Sequence, residues 1–143
     1  MGDKVTFDEC VEKKLPDCDP KKLWIQVPWF CGHFRRCSEP GSRWALEQAK
    51  LNVARSYFLV GLTEDLEGAG TMYRSSGPKK YVRKTRHKDA VSEATIEALR
   101  NTKIWRIENE FYEFVASHYR AIKGDLESQA NSQKLFHYQK VRP

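Results

Sequence analysis

No stretch of this sequence is apolar for long enough to cross a membrane, and no signal-peptide pattern follows Met1. Nothing repeats at a collagen, coiled-coil or solenoid period, which excludes fibrous and repeat architectures. Histidine is scarce, at positions 33, 87, 118 and 137, and cysteine equally so, at 10, 18, 31 and 37. Acidic residues vanish locally: YRSSGPKKYVRKTRHK, from Tyr73 to Lys88, holds no carboxylate. The 143 residues suffice for one modest domain, and 12% aromatic content argues for a packed core rather than disorder.

What fills the acid-free stretch is positive charge. Arg74, Lys79, Lys80, Arg83, Lys84, Arg86 and Lys88 lie within it, behind Ser75, Ser76, Gly77 and Pro78, which mark a loop. Cations attract an anion, and hydroxyls with backbone N–H groups direct it, so the loop suits a phosphate or sulfate group; a solvated charged loop is the plain alternative. The whole chain carries a net charge of +6, from 25 Lys and Arg against 19 Asp and Glu. That balance favours an anionic partner: nucleic acid, an acidic polysaccharide or a phosphorylated cofactor.

The cysteines form two tight pairs, Cys10 and Cys18 around VEKKLPD, and Cys31 and Cys37 around GHFRR. Two small disulfide loops are the reading the spacing favours. Zinc is the alternative, but it more often shows two-residue spacers and additional histidines, and only His33 is near. No metal is expected. Disulfides belong to an oxidising compartment, and without a delivering segment they point to a longer protein whose earlier part is absent here.

In chain order, residues 1–22 read as a polar, disulfide-stapled loop. Leu23-Trp24-Ile25-Gln26-Val27, ended by Pro28, reads as a short strand, with Trp29 and Phe30 as core aromatics. Ala45, Ala49, Val53 and Tyr57 recur at helical spacing and predict a helix over 42–57, started by Gly41 or Ser42. Phe58 to Leu62 reads as a buried strand, and Thr63 as the cap of a short helix cut off at Gly68-Ala69-Gly70. Ser92 caps a helix to about Arg100. A second helix from about Thr102 presents Ile104, Ile107, Phe111, Phe114, Val115 and Ile122 on one face, with Glu108, Glu110 and Glu113 facing elsewhere, and stops at Gly124. Residues 135–141 alternate like an edge strand. Helix, strand and capped helix in succession give the rhythm of an α/β layer fold.

Several of these stretches together resemble the heparan sulfate 2-O-sulfotransferase family, which modifies hexuronic acids in glycosaminoglycans. The carriers are CVEKKLPDC, CGHFRRC with GSRWALEQAK, YFLVGLTEDLE, YVRKT, IWRIENEFYEF and FHYQKVRP, in order over nearly the whole chain. The resemblance implies a Golgi-lumenal, membrane-anchored, homotrimeric enzyme with a P-loop-like α/β fold, of which this chain is the C-terminal portion: mostly helices around a partial sheet. It implies transfer of a sulfuryl group from 3′-phosphoadenosine 5′-phosphosulfate (PAPS) to the 2-hydroxyl of a hexuronic acid in heparan sulfate. By motif position Tyr73, Thr85 and Lys88 match donor-binding residues. Lys80 matches a further contact, with Tyr81 as its rival because the loop lengths differ by a residue. Lys79, Arg83 and Lys84 are left to grip the polyanion.

Two departures from the family stand out. No catalytic residue is assigned in this chain, because the phosphosulfate-cradling loop and the catalytic histidines belong to an N-terminal half that it does not carry; by itself it is expected to transfer no sulfate. The segment TEDLEGAGTMY is also shorter than the family pattern by roughly one amphipathic helix. The competing reading is a non-catalytic, secreted module that binds heparan sulfate or another polyanion. A nucleic-acid module is disfavoured, since no zinc-finger, aromatic RNA-binding or recognition-helix pattern is present and the cysteines point to disulfides.

Overall fold

The computed structural model describes residues 5–65 and 90–131. Five α-helices make up most of the described chain: α1 (Phe7–Glu12), α2 (Gln26–Cys31), α3 (Arg43–Ser56), α4 (Glu93–Arg100) and α5 (Lys103–Asn131). Short 3-10 turns at Pro16–Cys18, Pro20–Leu23, Arg35–Ser38 and Thr63–Asp65 join them, and no strand occurs among the described residues.

Local chemistry explains most of the boundaries. Thr6 and Glu9 close a capping box around the start of α1, each side chain bonding the other's backbone N–H at 3.2 Å. The Ser42 hydroxyl accepts from the Ala45 N–H at the start of α3, and the Ser92 hydroxyl accepts from Thr95 at the start of α4. Thr102 joins α4 to α5, donating its hydroxyl to the Leu99 carbonyl at 2.7 Å while accepting from the Trp105 N–H.

The core lies where α2, α3 and α5 meet. Ala45, Leu46, Ala49 and Val53 supply it from α3, and Ile107, Phe111, Val115, Ala116 and Tyr119 from α5. Val27, Cys31 and Cys37 fill the third side, with Trp24 and Leu62 at the margins. The alanines let α3 approach its neighbours closely, and Phe30 reaches between Tyr57 and Phe111 with ring centroids 5.2 Å from each.

Several expectations are corrected. Residues 1–22 are not only loop, since they contain α1. The strand expected over 23–27 is instead a 3-10 turn running into α2; Pro28 sits in the first turn of α2, where a missing N–H does no harm, so it does not end the segment. Trp29 is no core residue, being 80% exposed. Phe58 to Leu62 is irregular rather than a strand: Leu62 is buried against the helices while Phe58 is exposed. Thr63 lies inside its 3-10 turn and donates its hydroxyl to Glu64. Finally, α5 runs through Gly124. A glycine costs a helix only about 1 kcal/mol, which an anchored long helix absorbs. The strand expected at 135–141 lies outside the described residues.

Candidate functional site

The residues expected to bind the donor and the polyanion, Tyr73, Lys79, Lys80, Arg83, Lys84, Thr85 and Lys88, with the rival Tyr81, all lie outside the described residues. What the structure shows is how the two ends of that segment are held. On the entry side, the Asp65 carboxylate accepts from the Tyr119 hydroxyl at 2.9 Å and pairs with the Lys123 ammonium. Hydrogen bonding to Asp65 raises the Lys123 pKa, and burial, followed by the same carboxylate, raises that of Tyr119. On the exit side, the Asp8 carboxylate of α1 accepts from both the backbone N–H and the hydroxyl of Ser92, each at 3.1 Å. Hydrogen bonds from Thr95 and Ser92 hold the Asp8 carboxyl below its ordinary range. Of the described residues on either side of that segment, Asp65 is thus tied to the long helix α5 and Ser92 to α1, the helix that carries Cys10.

Both expected disulfides are present, Cys10–Cys18 and Cys31–Cys37. The helix leading into the second, α2, is capped by the Glu108 carboxylate. One of its oxygens accepts from the N–H groups of Ile25 and Val27 at 2.9 and 3.2 Å, and the other from Gln26 at 3.0 Å. The first-turn donors of a helix have no partner within the helix. In α2 Ile25 has no capping side chain and Pro28 has no N–H, so one carboxylate from α5 satisfies every donor that remains. Burial pushes the Glu108 carboxyl above its usual range, against the pull of the three donors. This overturns the expectation that Glu108 faces away from the core; it is 8% exposed.

Two residues further along α5, Glu110 does the opposite. It accepts from Lys50 at 2.7 Å and from Arg43, both on α3, and these partners, Lys50 first, lower its pKa. Of the histidines, His33 is exposed, His118 stacks on Phe114 with centroids 6.2 Å apart, and His87 and His137 lie outside the described residues.

Sequence reasoning missed Asp8, Asp65, Tyr119 and Lys123 as anchors, and Glu108 as a cap. The anchors join residues more than 50 positions apart and leave no local pattern. Glu108 did leave one: it falls four residues after Ile104 and three before Phe111, inside the apolar stripe. A carboxylate in such a stripe needs donors from elsewhere in the fold.

Comparison with known proteins shows what kind of protein carries this arrangement. No protein-family model matches the chain. Its relatives in sequence are sulfotransferases: a heparin sulfate O-sulfotransferase of Drosophila melanogaster is 43% identical over 158 residues, covering 99% of this chain. The heparan sulfate 2-O-sulfotransferases 1 of Xenopus laevis and Homo sapiens are each 43% identical, over 163 and 166 residues, and cover 100% of it. The chain belongs to the heparan sulfate 2-O-sulfotransferase family. It spans 45 to 46% of the length of these relatives. The matched spans of 163 and 166 positions exceed the 143 residues of this chain, so the relatives carry about 20 positions within the match that it lacks. That surplus has the size of the one helix found wanting in the sequence.

Proposed function

We propose that this chain is the C-terminal portion of an enzyme that transfers a sulfuryl group from PAPS to the 2-hydroxyl of a hexuronic acid in heparan sulfate, and that the 73–88 stretch is its donor-phosphate clasp. The observation that carries this reading is 43% identity across the whole chain to proteins named for that reaction. In such a transfer the acceptor oxygen forms a bond to sulfur as the phosphosulfate S–O bond breaks, and a base takes the hydroxyl proton. The residues of this chain serve binding. Thr85 donates to a phosphate oxygen, Lys88 and Lys80 neutralise it, and Tyr73 offers a ring to adenine, while Lys79, Arg83 and Lys84 meet the polyanion. The positions by which the relatives exceed this chain are assigned, on this reading, to the short segment at 68–70.

The same proposal includes a P-loop-like α/β fold for the whole domain, a homotrimeric assembly, and a membrane-anchored position in the Golgi lumen. The two disulfides support an oxidising compartment.

The test is calorimetric titration of the chain with adenosine 3′,5′-bisphosphate, the product the donor would leave. Binding is expected, weakened about tenfold or more by Thr85→Ala or Lys88→Ala through loss of a charge-assisted contact. Absence of binding, or binding indifferent to both substitutions, overturns the donor clasp.

A further inference from the structure

The loop closed by Cys31–Cys37 has no part in the donor site proposed above. Its sequence CGHFRRC carries two guanidiniums, an imidazole and an aromatic ring, and its first acidic neighbour in sequence is Glu39. The loop is tightly held. Its disulfide lies in the core, with Cys31 1% and Cys37 0% exposed. The Trp24 indole N–H donates to the Cys37 carbonyl at 2.9 Å, and the Asn52 amide donates to the carbonyls of Phe30 and Cys31 at 2.8 and 3.1 Å. Gly32 turns the chain with φ +107°, a conformation that other residues rarely adopt.

What this frame presents outward is a ring-and-cation surface. Phe34, 66% exposed, stands edge-on to Trp44 with centroids 6.1 Å apart. The Arg36 guanidinium lies over Trp44 at 4.7 Å, and Arg35 is exposed beside it in sequence. Among the described residues no carboxylate comes within ion-pair distance of Arg35 or Arg36.

We propose that the Cys31–Cys37 loop, with Trp44, is a second polyanion-binding site whose ligand is a sulfated, uronate-bearing polysaccharide. Guanidiniums bind sulfate and carboxylate oxygens through paired N–H donors. Phe34 and the free margin of Trp44 offer apolar surface to the C–H faces of sugar rings, which a bare cluster of lysines does not. A loop fixed by a buried disulfide and three carbonyl contacts loses little freedom on binding. The disulfides place the site in an oxidising compartment, where polysaccharides rather than nucleic acids are the common polyanions. The choice of a sulfated polysaccharide rests on the proposed function, whereas the capture of an anionic chain by this loop does not.

The probe is a heparin octasaccharide titrated into the full chain at several salt concentrations. Arg35→Ala with Arg36→Ala is compared with a charge-matched control, Arg55→Ala with Arg120→Ala, both exposed elsewhere. The loop pair is expected to weaken binding about tenfold and flatten its salt dependence, and the control to change it about twofold or less. Equal losses in the two variants, or no loss in the loop pair, overturn the site. Phe34→Ala tests the ring contribution without changing charge, and weaker binding at unchanged salt dependence is expected; unaltered affinity removes sugar stacking and overturns the ring-and-cation site. Tighter binding of an oligonucleotide of matched charge overturns the polysaccharide assignment. Titration with adenosine 3′,5′-bisphosphate keeps the two proposals apart: the loop variants leave it unchanged, and its failure in the unsubstituted chain sinks the donor clasp alone.

Discussion

The two disulfide loops are alike in covalent terms and unlike in every other. Cys10 and Cys18 are 8 positions apart and Cys31 and Cys37 are 6 apart. Closing rings of this size removes similar denatured-state freedom, about 2–3 kcal/mol for each by the chain-entropy account. Yet Cys31 and Cys37 belong to the cluster around Leu46, Phe111 and Tyr119, and Cys10 and Cys18 do not. The first disulfide staples a peripheral turn that reaches the rest of the described fold through α4. The second is a piece of the core, and the carboxylate of Glu108 fixes the start of the helix leading into it. Similar bonds acquire different weight from what surrounds them.

The comparison can be broken from either side. Cys31→Ser with Cys37→Ser should be the costliest change, about 4 kcal/mol in urea unfolding, because buried hydroxyls add to the lost ring closure. Glu108→Ala should follow at about 3 kcal/mol, since three N–H groups, that of Val27 buried and those of Ile25 and Gln26 partly so, lose their acceptor. Amide exchange should then accelerate at residues 25–31 but not in α1. Cys10→Ser with Cys18→Ser should cost about 2 kcal/mol, close to the entropy of the ring alone. If it equals the core pair, packing is not what separates the two loops. Tyr119→Phe should cost about 1 kcal/mol, with faster exchange confined to the Asp65 turn.

The smallest effect is the dependence on pH, which sharpens a comparison within α5. Glu110 has its pKa lowered by Lys50 and Arg43, so its contribution to stability is complete above the ordinary carboxylate value of 4.5 and is lost as pH falls through the folded value. Glu108 is shifted the other way: the folded chain takes up its proton at higher pH than the unfolded chain, so this group favours folding more as pH drops through that window. Glu110→Gln should therefore flatten the acid limb of a stability–pH curve. An acid limb unchanged in that variant would show that the Lys50–Glu110–Arg43 cluster contributes nothing.

Much of this was legible in the sequence. Four-residue spacing and serine caps gave the helices at 43–56 and 93–100 within a residue, and the tight cysteine pairs gave both disulfides. The misreadings have physical causes. Leu23–Val27 is rich in strand-forming side chains, but a cap from Glu108, far along the chain, turns its second half into helix, and no local propensity reports such a contact. Gly124 is a weak stop that a long, well-anchored helix overrides. For the candidate site, the residue types and their order carried the family, while the anchors Asp8, Asp65, Tyr119 and Lys123 are meetings of distant segments.

The central proposal is that the basic stretch, which lies between Asp65 and Ser92 in sequence, is the clasp for a nucleotide phosphate. Hydrogen exchange of the full chain, with and without adenosine 3′,5′-bisphosphate, tests it most directly. The account predicts slowed exchange over residues 73–88 and at the two anchors, with the Cys31–Cys37 loop unchanged. Exchange unaltered by the nucleotide, or slowed only outside residues 63–92, would contradict it.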